Sequence, residues 1–229
     1  MNLENSRIVV TGGGSGLGAA CTEAIAEAGG EPIVFDLAPV AGSHRSVSVD
    51  VTDRQSVESA VAEVAEAGGG IDGVVTAAGI DIPGDLDEVD PDQWEKVIGV
   101  NLLGTVSTVR ALLPHLEANR GRVVTVCSTL GLRGAGGATA YAASKFGVRG
   151  FSQALAAEMV GRVGVTNLIP GGMNTNFFEG RDERFAPGDR SRLNDPRDVA
   201  RTVVFALTQP PRVEIREVLV AHEGEDSWP

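Results

Sequence analysis

Short β-branched, apolar runs alternate along this chain with longer stretches whose apolar positions recur at helical period. Arg7 to Thr11 is such a run, ending in glycines, and it predicts a buried strand. Ala19 to Ala28 is alanine-rich and helical, and Gly29-Gly30 stops it. Pro32 to Phe35 predicts a second strand and Val47 to Val49 a third. Ser56 to Ala67 sets apolar among acidic residues at helical spacing and ends at Gly68-Gly69-Gly70. Ile71 to Ala77 predicts a fourth strand, and a long, weakly broken helix follows over Trp94 to Asn119. Arg122 to Cys127 predicts a fifth strand, Thr139 to Val160 a helix and Val163 to Ile169 a sixth strand. Residues 174–195 are polar, arginine-rich and aperiodic, which predicts a substrate loop or lid. Pro196 to Leu207 is helical again, and Val213 to Val220 predicts a last strand. This alternation predicts an α/β fold, a doubly wound parallel sheet of about seven strands with helices on both faces. No repeat, linker or low-complexity block interrupts it, so residues 1–229 are expected to form one domain.

Composition narrows the partners. A formal net charge of −12 argues against a non-specific grip on nucleic acid or anionic membrane. No stretch approaches ~20 uninterrupted apolar residues, so no spanning helix is expected. Met1 to Arg7 has no signal-peptide pattern, and a cytoplasmic protein is expected. Cys21 and Cys127 are expected to be reduced packing residues. His44, His115 and His222 have no ligand spacing, so no metal site is expected.

Two local patterns carry chemistry. The first strand runs into Thr11-Gly12-Gly13-Gly14-Ser15-Gly16-Leu17-Gly18 and then a helix. Glycines there permit a tight turn and close backbone approach to a pyrophosphate at the helix N-terminus. Asp36 ends the second strand, where a carboxylate can accept hydrogen bonds from ribose hydroxyls and repel a 2′-phosphate. No cation occupies the glycine turn or follows Asp36, so NAD is favoured over NADP; His44 and Arg45 are discounted. The second pattern is Tyr141-Ala142-Ala143-Ser144-Lys145, which holds the only tyrosine. Four residues is about one helical turn, so phenol and ammonium share a face. A nearby ammonium favours the phenolate and fits the tyrosine for proton transfer at an alcohol or carbonyl oxygen.

On these residues the chain resembles the short, single-domain branch of the short-chain dehydrogenase/reductase family from Arg7 to about Val220. Thr11 to Gly18 matches the family's T-G-x-x-x-G-x-G, and Tyr141 with Lys145 its Y-x-x-x-K. Ser128, 13 residues before Tyr141, matches its serine, and Asn101 its active-site asparagine. Pro170, Gly171 and Thr175 match its P-G-x-x-x-T turn, and Asp50 its aspartate near adenine. The resemblance implies a catalytic set of Asn101, Ser128, Tyr141 and Lys145. Tyr141 would be the acid/base, Lys145 would lower its pKa and bind the nicotinamide ribose, and Ser128 would hold the substrate oxygen. Asn101 would help position a water that links Lys145 to solvent. The implied NAD contacts are Gly12, Gly14, Ser15, Gly16, Leu17 and Gly18 in the first turn, then Asp36, Asp50 and Val51. Ala77, Ala78 and Gly79 follow the fourth strand, and Pro170, Gly171, Met173 and Thr175 the sixth; Tyr141 and Lys145 complete the set. The expected reaction interconverts a secondary alcohol and a ketone. A homodimer or homotetramer is expected through the helices carrying Asn101 and Tyr141.

The chain departs from the family in three places. Thr76 stands where the family's N-A-A-G has asparagine, and it is expected to keep a hydrogen bond. The usual glycine-rich ending is absent, replaced by Glu214 to Val220 and an acidic tail with Trp228. Residues 174–195 are not diagnostic of a substrate; Phe177 or Phe178 could line its pocket, and Arg133, Arg181 and Arg184 could meet a substrate carboxylate or phosphate but read first as solvated surface residues. Trp94 reads as packing for the long helix. Gly131 to Ala138 is built mostly of small residues, which points to an open pocket beside Ser128. Three alternatives stand beside the dehydrogenase: a silent NAD(H)-binding sensor or scaffold, an NADPH-dependent ketoreductase, and an epimerase or dehydratase. The last would need a second substrate domain for which 229 residues leave little room.

Overall fold

The computed structural model describes residues 3–38, 40 and 42–225. Its strands are β1 (Arg7–Thr11), β2 (Glu31–Asp36), β3 (Arg45–Ser48), β4 (Gly73–Thr76), β5 (Arg122–Val126), β6 (Gly164–Pro170) and β7 (Glu217–Val220). Its helices are α1 (Gly16–Glu27), α2 (Arg54–Glu66), α3 (Pro91–Ile98), α4 (Thr105–Asn119), α5 (Thr139–Glu158) and α6 (Pro196–Leu207). The strands form one parallel sheet in the order β3-β2-β1-β4-β5-β6-β7. The chain steps outward from β1 to β3, then returns to β4 on the other side of β1. That reversal opens a crevice at the carboxyl ends of β1 and β4, where such sheets bind ligands.

β1, β4 and β5 are buried along their whole length, which is why they read as continuous apolar runs. Two apolar layers sandwich the sheet. Val57, Val61 and Val64 of α2, Leu112 and Leu116 of α4, and Leu155 of α5 pack one face. Cys21 and Ile25 of α1 with Val199, Val203 and Leu207 of α6 pack the other. Register sets Thr11 opposite Thr76 and Thr76 opposite Thr125, so the three central strands end at one level.

The weak break in the long helix is a π-helical segment, Gly99–Gly104, between α3 and α4. α3 starts ahead of the expected Trp94, because Asp90 accepts from the Asp92 and Gln93 amides and Pro91 fits the first helical turn. By length and composition the run Pro91–Asn119 could span a bilayer. Instead, its Val97, Val109, Leu112 and Leu116 are fully buried inside the protein. The last strand is shorter than expected: only Glu217–Val220 pairs along β6, and the Arg216 carbonyl adds one hydrogen bond from Asn167. Residues 174–195 are irregular as expected, apart from three 3-10 turns. Cys21 and Cys127 are buried free thiols, and burial pushes Cys21 up to about 12. Trp94 is half-buried, and its Nε1 donates to Thr139 Oγ1 at 3.0 Å, tying α3 to α5. Trp228 lies outside the described residues.

Candidate active site

The turn after β1 is shaped by glycines that no other residue could replace without movement. Gly12 has φ +66°, and a Cβ there would lie 2.8 Å from Ala78 Cα, so the turns after β1 and β4 meet backbone to backbone. A Cβ on Gly18 would lie 2.0 Å from the Gly12 carbonyl oxygen. Thr11 Oγ1 ties the turns together by accepting from Ala78 N at 3.2 Å. Ser15 precedes α1 without a side-chain cap, which leaves the first amides of that helix open. Gly14 N donates to Asp36 Oδ2 at 2.9 Å, so the carboxylate at the end of β2 is fastened beside the turn. Asp50 instead closes its own turn, accepting from Thr52 N and Oγ1 at 2.9 and 2.6 Å. Those bonds lower its pKa.

Ser128 follows β5, and Tyr141 and Lys145 lie on the first turns of α5. Ser128 is buried, accepts from Leu130 N at 3.2 Å and is hydrogen-bonded to the Tyr141 hydroxyl. Lys145 Nζ is buried, donates to Val126 O at 2.9 Å and lies 5.5 Å from the Tyr141 ring centroid. Burial dominates both ionisations. It pushes the Tyr141 phenol above its ordinary value, against the pull of the Ser128 hydrogen bond, and lowers Lys145 to about 8. Desolvation outweighs the Ser128 hydrogen bond and the Arg181 charge, so it opposes the lowering expected from Lys145.

Asn101 sits in the π-helical segment, fully buried. Its Oδ1 accepts from Ile80 N at 2.8 Å, and its Nδ2 donates to Ile80 O at 2.9 Å and Ser144 Oγ at 3.0 Å. Its side chain thus clamps the loop after β4 to α5. Thr76 departs from expectation: its hydroxyl is buried and makes no hydrogen bond.

A cavity of about 580 Å³ joins these parts. Gly12, Ser15, Gly16, Leu17 and Gly18 line it from β1, and Ala77, Ala78 and Gly79 from β4. Ser128, Tyr141 and Lys145 form one wall, and Pro170, Gly171, Met173 and Thr175 another. Gly14, Asp36, Asp50, Val51 and Asn101 lie outside its lining. A cradle that a Cβ would fill, open helix amides and a carboxylate beside the turn together fit a dinucleotide. No group of three potential metal ligands occurs among the described residues.

Two lining residues, Asp81 and Glu225, escaped the sequence reading, and a third, Arg181, was read first as surface. Arg181 is not a solvated surface residue: its side chain is 10% exposed, and its Nη2 lies 3.0 Å from Asp81 Oδ2. Glu225, from the atypical tail, accepts from Gly172 N at 2.9 Å. Asp81 is 100 residues from Arg181, and no local pattern marks such a pair. Phe177 and Phe178 both line the cavity, and the Phe177 ring centroid lies 5.7 Å from that of Tyr141. Arg184 stays exposed and pairs with Glu88 and Asp182.

Known proteins resemble this chain in sequence and fold. Residues 6–185 match the family described as short chain dehydrogenase. The chain belongs to that family. It is 33% identical over 230 residues to an uncharacterized oxidoreductase of Staphylococcus aureus, covering 95% of this chain and 97% of that one. A Staphylococcus saprophyticus relative, also described only as an uncharacterized oxidoreductase, is 33% identical over 235 residues, covering 96% and 98%. The ligand-free aldohexose dehydrogenase of Thermoplasma acidophilum superposes with a TM-score of 0.88 at 21% identity, covering 95% of this chain and 93% of that one. An alcohol dehydrogenase of Thermococcus sibiricus, complexed with 5-hydroxy-NADP, gives 0.83 at 24% identity, covering 96% and 97%. These two structures share the fold.

Proposed function

We propose that this protein is an NAD-dependent oxidoreductase that interconverts a secondary alcohol and a ketone. The observation that carries this reading is the meeting of Ser128, Tyr141 and Lys145 on one wall of a cavity whose other end is the glycine turn. NAD, when bound, supplies the hydride acceptor and a positive charge. Ser128 donates to the substrate oxygen and holds it against the Tyr141 hydroxyl. Tyr141 takes the alcohol proton during oxidation and returns it during reduction. Lys145 in its charged form favours the phenolate. Asn101 acts through the Ile80 loop and Ser144, which fixes α5 and so the tyrosine.

Asp36 supports NAD over NADP, because its carboxylate would face a 2′-phosphate. The two nearby basic side chains are engaged elsewhere: Arg45 binds Glu63 at 3.0 Å and His44 faces Glu23 at 3.3 Å. Exposed Leu103 and Phe146, on the helical segments carrying Asn101 and Tyr141, support a homodimer or homotetramer; a monomer in sedimentation would contradict that.

The test is NADH formation from NAD over a panel of secondary alcohols, repeated with NADP. Turnover with NAD that exceeds turnover with NADP supports the whole reading. Tight NADH binding without turnover of any alcohol or ketone would favour a nucleotide sensor.

A further inference from the structure

The substrate end of the cavity holds a buried ion pair with unused hydrogen-bonding capacity. Asp81 lies just past the loop after β4 and Arg181 in the 174–195 segment; their side chains are 5% and 10% exposed. Arg181 is held from three sides. Its Nε donates to the Phe177 carbonyl at 3.2 Å, and its guanidinium carbon lies 4.7 Å from the ring centroids of both Phe177 and Phe178. Phe177 in turn packs against Tyr141, so the pair stands beside the reacting group. Nη2 and Asp81 Oδ2 form an ion pair at 3.0 Å, and the Ile82 amide also acts on the Asp81 carboxylate, yet Nη2 meets no acceptor in full hydrogen-bond geometry. Asp81 Oδ1 is buried and likewise makes no hydrogen bond. Buried polar atoms without partners are uncommon, and in a binding cavity a ligand can satisfy them.

From these unsatisfied atoms we infer that Asp81 and Arg181 select a substrate with a second hydroxyl group near the carbon that reacts. The hydroxyl donates to Asp81 Oδ1, and its oxygen accepts from Arg181. The two side chains already neutralise each other, so a neutral donor suits them better than a cation. An anionic substrate would meet the Asp81 carboxylate and have to displace it from Arg181. The favoured class is therefore a vicinal diol or polyol, in preference to a simple alcohol, an amino alcohol or a hydroxy acid. This inference rests on the dehydrogenase reading for the position of the reacting carbon.

The probes are cis-1,2-cyclohexanediol and cyclohexanol, which differ by one hydroxyl. Titration into NADH-loaded protein measures binding without net reaction, and NADH formation from NAD measures turnover separately. The diol is expected to bind about 100-fold more tightly or better, because a site built to bond a hydroxyl rejects the analogue that lacks it. That advantage should shrink to less than about threefold in Asp81→Ala and in the double variant D81L/R181L, which leaves no unpaired charge. Failure of the diol to bind would overturn the inference, as would equal affinity for the two probes in the wild type, a comparison that needs no variant to fold. Tighter binding of 2-aminocyclohexanol or 3-hydroxybutyrate than of the diol would also overturn it. Selective diol binding with no NADH formation would uphold the pair's role and sink the dehydrogenase reading instead. Equal binding with turnover of both would do the reverse.

Discussion

Replacing Lys145 with methionine should make the ligand-free protein more stable at neutral pH. Burial lowers Lys145 from its ordinary 10.5 to about 8. A gap of about 2.5 units corresponds to roughly 3 kcal/mol spent at pH 7 on charging the buried amine. Methionine fills a similar volume without a charge. It forfeits the bond to Val126 O at 2.9 Å, worth about 1 kcal/mol, which leaves a net gain of about 2 kcal/mol. For a chain of this size that is a rise in Tm of roughly 4–8 °C. The sign follows from proton uptake. Between pH 8 and 10.5 the unfolded chain holds the lysine proton and the folded chain does not, so wild-type stability rises with pH across that window. Lys145→Met lacks this rise, and its advantage should be full below pH 8 and fade by about pH 10.5. Paired thermal melts at several pH values without cofactor read the difference directly. A variant that melts below the wild type at pH 7, or a gap that does not change with pH, would refute the reasoning.

Thr76→Val should be neutral or stabilising by up to about 1 kcal/mol, because it removes a buried hydroxyl that makes no hydrogen bond; a denaturant titration reads this, and a clear loss of stability would contradict it. Gly18→Ala should weaken NAD binding by about 100-fold or more, since its Cβ would lie 2.0 Å from the Gly12 carbonyl oxygen and force the turn open; unchanged affinity in a fluorescence titration would refute the cradle. Asp36→Ala should narrow the preference for NAD over NADP by roughly 10–100-fold in kcat/KM, from lost ribose bonds and lost repulsion of a 2′-phosphate; an unaltered ratio would place the selectivity elsewhere.

The sheet was legible because its central strands are buried on both faces and so carry unbroken β-branched runs, as Arg7–Thr11 and Arg122–Val126 do. The edges were less so. β3 lies at one edge with only intermediate and exposed positions, and β7 at the other alternates, so burial marks their limits weakly. Tyr141 and Lys145 could be placed together in advance because four residues make about one helix turn, whereas Ser128 was placed only by the family resemblance. Asn101 was legible as a position, but its clamp on Ile80 was not, since that depends on how a π-helical segment faces a loop. Asp81 and Glu225 were missed, and Arg181 was read first as surface, because each reaches the cavity through a contact distant in sequence and an isolated charge in a polar stretch looks like solvated surface. For Tyr141, spacing reports proximity to Lys145 but says nothing about desolvation, which raises the phenol.

The most direct test of the central claim is NADH formation from NAD with a secondary alcohol, wild type beside Tyr141→Phe, with NAD affinity measured on both. Loss of a phenolic acid/base should reduce turnover by about 100-fold to 10,000-fold while cofactor affinity stays close to that of the wild type. Turnover that survives in Tyr141→Phe would contradict the assignment of this tyrosine as the group that moves the proton.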